Sequence, residues 1–175
     1  GSDDNGQGSA ADDGDFSLYQ VQTQWIRRLN RDPLQPAWLL NFNLNYQETS
    51  DTLPAFERMG LGGHGTVRGF RENRWLKDSG LTASLMLSAP LLAAGSQNGI
   101  AVRAMLFYDY GRGENSVAAL NVDTEVSLRS AGFGLTADYQ KLKFRIERAL
   151  RLNKKNKLGN ALQDSGIHVG VTYEL

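Results

Sequence analysis

In the stretch AWLLNFNLNYQ, every second residue from Trp38 to Tyr46 is apolar or aromatic: Trp38, Leu40, Phe42, Leu44 and Tyr46. Asn41, Asn43, Asn45 and Gln47 fall on the opposite face. A period of two is the signature of a strand, because successive side chains point to opposite faces of a sheet. Four inward amides make an odd hydrophobic core, whereas an apolar row with an aromatic at each end suits a bilayer and its two interfaces. The same alternation predicts six further strands. In SLYQVQTQW, Tyr19, Val21, Thr23 and Trp25 alternate with glutamines; in TASLMLSAPL, Ala83, Leu85, Leu87 and Ala89 form the apolar row. IAVRAMLFYDYG places Ile100, Val102, Ala104, Leu106, Tyr108 and Tyr110 on one face. SAGFGLTADY, LKFRIER and GIHVGVTYEL repeat the pattern, the last through Ile167, Val169, Val171, Tyr173 and Leu175.

The connections sort by length. Short ones around RDPLQP, AAGSQNG and YQKLK take turns with long ones at 48–80, 112–129 and 153–166. Transmembrane barrels of the bacterial outer membrane have short periplasmic turns and long outer loops. The predicted fold is therefore all-β, an antiparallel transmembrane β-barrel occupying residues 16–175. The last strand then runs toward the periplasm, and residues 1–15, acidic and glycine-rich, form a disordered segment or the remnant of an outer loop. Single-chain bacterial barrels have even strand numbers, and an open edge in lipid leaves backbone groups unpaired. Seven strands therefore read as the C-terminal part of a larger barrel, or as a small barrel of about eight strands with one unrecognised.

Composition narrows the function classes. Nineteen lysines and arginines balance nineteen aspartates and glutamates, so bulk electrostatics offer nucleic acid no hold. Cysteine is absent, which removes disulfide scaffolds, thiolate nucleophiles and cysteine-ligated zinc. No run of about 18 apolar residues exists, a fact compatible with a barrel, whose strands alternate. His64 and His168 have no partners at ligand spacing, so no metal is expected. GLGGHG lacks the lysine-serine pair of a phosphate loop, and no G-x-S-x-G is present; no cofactor and no enzymatic chemistry are predicted. The run Lys154-Lys155-Asn156-Lys157 reads as a solvated loop face, open to anionic lipopolysaccharide.

Two motifs carry a resemblance. LPAFERMGLGGHGTVRGFRENRWLKDSG contains Val67, Arg68, Gly69 and Phe70 as V-R-G-F, and the fourth strand contains Phe107, Asp109 and Gly111 as F-x-D-x-G. In this order they resemble the two-partner secretion transporters of the bacterial outer membrane, the haemolysin-activator and filamentous-haemagglutinin transporter type within the BamA-like superfamily. The resemblance implies a sixteen-stranded barrel preceded by POTRA domains, of which this chain would be the C-terminal portion. It also implies export of a partner exoprotein through the lumen, and a 48–80 loop folded inward with its arginine on the strand aspartate. The alternatives are a BamA-like insertase, a truncated small barrel serving as a structural or binding module, and, more remotely, an outer-membrane enzyme.

The residues point the same way at one place. With Leu106, Tyr108 and Tyr110 facing lipid, Phe107, Asp109 and Gly111 must face inward, where a carboxylate is a natural bidentate partner for a guanidinium. Arg68 is thus expected to be a latch. Arg103, Lys143, Arg145 and Glu147 also face inward and are expected to form one lumen charge network. Tyr173 and Leu175 end an apolar row resembling the assembly signal read by the BAM machinery, with leucine in place of the usual phenylalanine. The expected partners are therefore a secreted exoprotein, the BAM machinery, outer-membrane lipids and the N-terminal strands and POTRA domains of the same transporter.

Overall fold

The computed structural model describes residues 15–32, 34–93, 99–116, 124–153 and 165–174. Among them are nine strands: β1 (Tyr19–Arg28), β2 (Leu39–Glu48), β3 (Met59–Leu61), β4 (Trp75–Lys77), β5 (Ser79–Leu92), β6 (Ile100–Glu114), β7 (Glu125–Tyr139), β8 (Leu142–Arg151) and β9 (Ile167–Tyr173). Seven of these form one antiparallel sheet in the order β1-β2-β5-β6-β7-β8-β9, and β3 pairs with β4 as a separate hairpin. The seven sheet strands are those the alternation predicts. The hairpin lies inside the segment expected to be loop, where its three-residue strands are too short for a period to register.

Register shows why the alternation matters. Trp25 stands opposite Phe42, Phe42 opposite Leu85, Leu85 opposite Tyr108, Tyr108 opposite Ala131 and Ala131 opposite Leu150. One slip of a single residue would turn a whole strand's apolar set inward. The row stays outside: Trp38 is 46% exposed, Leu106 61% and Val169 71%. So continuous an exposed apolar face is what lipid covers. Between Pro90 and Leu92 the ladder to β6 shifts register, where a proline cannot donate its hydrogen bond.

One expectation needs correction, and of the two barrel sizes expected one is favoured. The connection read at 112–129 is shorter, because β6 and β7 stay paired up to Glu114 opposite Glu125. Their hairpin continues beyond the apolar band, where alternation no longer marks it. The sheet is also open: neither β1 nor β9 has a partner on its outer side among the described residues, so these residues form a wall of a barrel and not a small closed one. Residues 1–14 and 154–164, including the basic run, lie outside the described residues, as does Leu175.

The apolar core is small and sits where the 49–78 segment meets the inner face. Leu61, Val67 and Phe70 from that segment pack with Leu128 of β7, and Met59, Trp75 and Val126 close around them. Phe70 and Trp75 meet edge to face at 6.0 Å. Small residues on the inner wall make room. A Cβ on Gly132 would run into the ring of Phe107 and the carbonyl of Arg148. Gly132→Ala is therefore expected to displace Phe107 and loosen the segment, seen as faster proteolysis within 49–78 in otherwise folded, heat-modifiable protein. Gly170→Ala, whose Cβ meets open space, is the matched control and should leave proteolysis unchanged.

Candidate functional site

Residues 49–78 fold back onto the inner face of the sheet, and their tip is tied from within. Gly62 and Gly63 adopt φ of +101° and +107°, values that a side chain disfavours. Their turn is closed by Gly63 N–H donating to Val67 O at 3.1 Å, and by Gly62 N–H donating to the Thr66 hydroxyl at 3.0 Å. Glu72 accepts from the His64 N–H at 2.9 Å, which fixes the outgoing limb against the incoming one. This rigid turn presents Val67, Arg68, Gly69 and Phe70 to the wall.

Each member of the first motif meets a specific site. Arg68 Nε and Nη2 donate to the two carboxylate oxygens of Asp109 at 2.8 and 2.7 Å, a bidentate fork. The Arg68 backbone N–H adds a third bond to Asp109 at 3.1 Å. The Phe107 ring lies 3.5 Å from the guanidinium carbon and provides a cation–π floor. Val67 fills the space left by Gly111, where a Cβ would stand 2.7 Å from its methyl group. Gly69, at φ +89°, donates its N–H to His168 Nε2 at 3.3 Å, and Phe70 enters the apolar core. The spacing F-x-D-x-G therefore has a physical basis: three successive inward positions supply a stacking surface, a carboxylate and a gap.

The arginine reaches further than the expected pair. Its Nη2 also donates to the Ser84 hydroxyl at 3.1 Å, and that hydroxyl donates to Asp109 at 2.7 Å. Its Nη1 donates to Glu147 of β8 at 3.2 Å. Glu147 is ion-paired with Arg145 at 3.3 Å, and His64 Nδ1 lies 3.1 Å from its second oxygen. Arg68 and Arg145 thus balance Asp109 and Glu147. Side-chain exposure is 6% for Arg68 and zero for both carboxylates, so the balance matters: unpaired charge at such burial is costly.

The single charge network expected of Arg103, Lys143, Arg145 and Glu147 is divided. Arg145 and Glu147 join Arg68. Arg103 instead donates to Ala37 O at 2.8 Å and to Ser88 at 3.1 Å, near the β1–β2 turn. Lys143 is half exposed and pairs with Glu174 at 3.2 Å. Facing inward does not make residues neighbours; Arg103 and Lys143 sit at the far end of the strands. The two histidines have no partners at ligand spacing in the sequence, yet their rings lie 5.8 Å apart beside Glu147. They are 104 positions apart in the chain, and only loop docking brings them together. No group of three or more histidines and carboxylates suited to a metal occurs among the described residues. Tyr173 ends β9 on the exposed outward row, with Lys141 6.0 Å from its ring.

A family model described as Haemolysin secretion/activation protein ShlB/FhaC/HecB matches residues 2–137, a span that includes both motifs. No curated protein matches the chain significantly.

The geometry separates charge from shape at Arg68. Lysine there keeps a positive charge but loses the fork and the planar stack on Phe107. Arg68→Ala is expected to free the 49–78 segment, losing about 3–5 kcal/mol of docking as a buried charge is left unpaired; Arg68→Lys, which keeps the charge but not the fork or the stack, should lose about 1–3 kcal/mol. Hydrogen exchange across 60–72 in folded protein measures it. Ser84→Ala should have a smaller effect, about 1 kcal/mol, because the fork persists.

Proposed function

The chain belongs to the haemolysin secretion/activation family, and on that footing we propose that it forms part of the wall of an outer-membrane barrel that exports a partner exoprotein through its lumen. The observation that carries this reading is the docked loop. A segment of some thirty residues enters from the side of the sheet where the long connections lie, and is held by a four-charge cluster in which Arg68, Asp109 and Glu147 are buried and Arg145 is partly exposed. Arg68 is the latch and Asp109 its keeper. The polar inner face and the lipid-suited outer face support a water-filled conduit, and no bond-making chemistry is assigned to it. In this reading the free edges of β1 and β9 join the remaining strands of the same transporter, and POTRA domains on the periplasmic side receive the exoprotein. Assembly through the BAM machinery, directed by the row ending in Tyr173 and Leu175, belongs to the same reading.

A latch that must hold during export and a latch that must open predict different mutants, but both require Arg68 and Asp109 to act as a unit. In the complete transporter, Arg68→Ala and Asp109→Ala are each expected to lower exoprotein secretion severalfold, and the double substitution to be little worse than either. Secretion normalised to the amount of transporter in the outer membrane is the measurement. Fully additive losses would show that the two residues act separately. Unchanged secretion in all three would remove the loop from the export mechanism.

A further inference from the structure

The latch contacts one side of the inner surface only. Its partners lie on β5 (Ser84), β6 (Asp109), β8 (Glu147) and β9 (His168). On β2 the docked segment caps Gln47, whose amide donates to Glu57 O at 3.0 Å and to Asp78 O at 2.9 Å, whereas Gln22, Gln24 and Asn43 of β1 and β2 line open space. Gln20 stands opposite Gln47, Gln22 opposite Asn45, and Gln24 opposite Asn43, with no charged residue among them. Gln20 and Gln47 bond each other at 2.9 Å, and Asn45 bonds Thr82 at 3.2 Å. Gln22, Gln24 and Asn43 make no side-chain hydrogen bond among the described residues.

A cleft runs along this wall. One cavity of about 540 Å³ lies between Gln22, Asn43 and Asn45 on the sheet and His64 and Thr66 on the docked loop; Arg68 and Arg145 also line it, so its charge is confined to the latch side and the β1–β2 side is neutral. A second, of about 250 Å³, shares Gln22, Asn45 and Thr66 with the first and continues toward Gln20 and Gln47.

We propose that this amide-lined cleft is the track on which the exported polypeptide moves, held as an extended chain by backbone hydrogen bonds while the loop stays latched. The inference rests on the export reading and specifies where in the lumen the substrate lies. Its basis is a match of repeats. Side chains on one face of a strand recur every two residues, about 6.7 Å. An extended polypeptide turns its N–H and C=O groups to a given side with the same two-residue period. Each carboxamide supplies both a donor and an acceptor, so it pairs with either backbone group. A carboxylate or an ammonium offers only one kind and would hold or repel the charged side chains of the cargo. A neutral amide ladder therefore grips any sequence equally, and advancing the cargo by two residues restores the same bonds. Such a wall binds weakly everywhere and strongly nowhere, as a conduit requires.

Site-specific photo-crosslinking in the complete transporter, carrying an exoprotein arrested in transit, tests the track. A photoreactive residue at Gln22, Gln24 or Asn43 is expected to capture the exoprotein. Thr136 and Thr172 face inward on β7 and β9, outside the cleft, and should capture at least about fivefold less; outward Val21 and Leu44 should capture none. Capture at Thr136 and Thr172 but not at the amides would overturn the track and leave export through the lumen standing. Capture at no inward position would overturn the export reading itself. In a second arm, replacing Gln22, Gln24 and Asn43 together by aspartate should reduce secretion about tenfold or more, and replacement by threonine, which keeps donor and acceptor, should largely preserve it. Both variants are compared at equal amounts of heat-modifiable transporter. Equal secretion by the aspartate and threonine variants, or block of single-channel current by maltooligosaccharides that only the amides support, would assign the wall another role.

Discussion

A guanidinium buried with two carboxylates is the interaction on which the inner architecture depends. Asp109 and Glu147 have no solvent exposure, and each would be prohibitively unfavourable there without a cation. Arg68 supplies it to Asp109 and shares Glu147 with Arg145, while His64 and Gly69 of the same segment add contacts to Glu147 and His168. The rest follows from accommodating that one side chain: Phe107 beneath its plane, Ser84 bridging it to Asp109, and the gap at Gly111 that lets Val67 seat beside it. Removing a neighbour lessens the fit, whereas removing either charge leaves the other stranded.

The loop is attached in two chemically different ways. Near the outer end, Leu61, Val67 and Phe70 pack against Leu128 in a small apolar core whose stability depends on excluded water. Deeper in, the tip is held by charge and directional hydrogen bonds. The first attachment tolerates sliding and repacking; the second is all-or-none, because a bidentate fork displaced by an ångström is no longer a fork. The docking is also lopsided. Its charged contacts lie on the β5–β9 side; on β2 it caps Gln47 and leaves Gln22, Gln24 and Asn43 uncovered.

Outside, the constraint is simpler. Every strand of the main sheet presents its apolar set to the same face, and the antiparallel register carries that face unbroken from Trp25 through Phe42, Leu85 and Tyr108 to Leu150. Lipid is the solvent for this face, water for the other, and the pleat converts a two-residue period into that division.

The amino-acid order alone determined everything that depends on alternation: the seven strands of the main sheet, which face of each looks outward, and hence that Asp109 and the amides of β2 look inward. It determined the Arg68–Asp109 pairing only through motif resemblance plus facing, since 41 residues separate the two. What tertiary structure decided is adjacency. Facing is a local property of the backbone, but which inward residues touch depends on strand order, register and the depth to which the loop penetrates. For that reason Glu147 and Arg145 joined the cluster while Arg103 and Lys143, equally inward, did not. His64 and His168 became neighbours for the same reason, and the short β3–β4 hairpin is not legible in the sequence because three residues are too few to show a period.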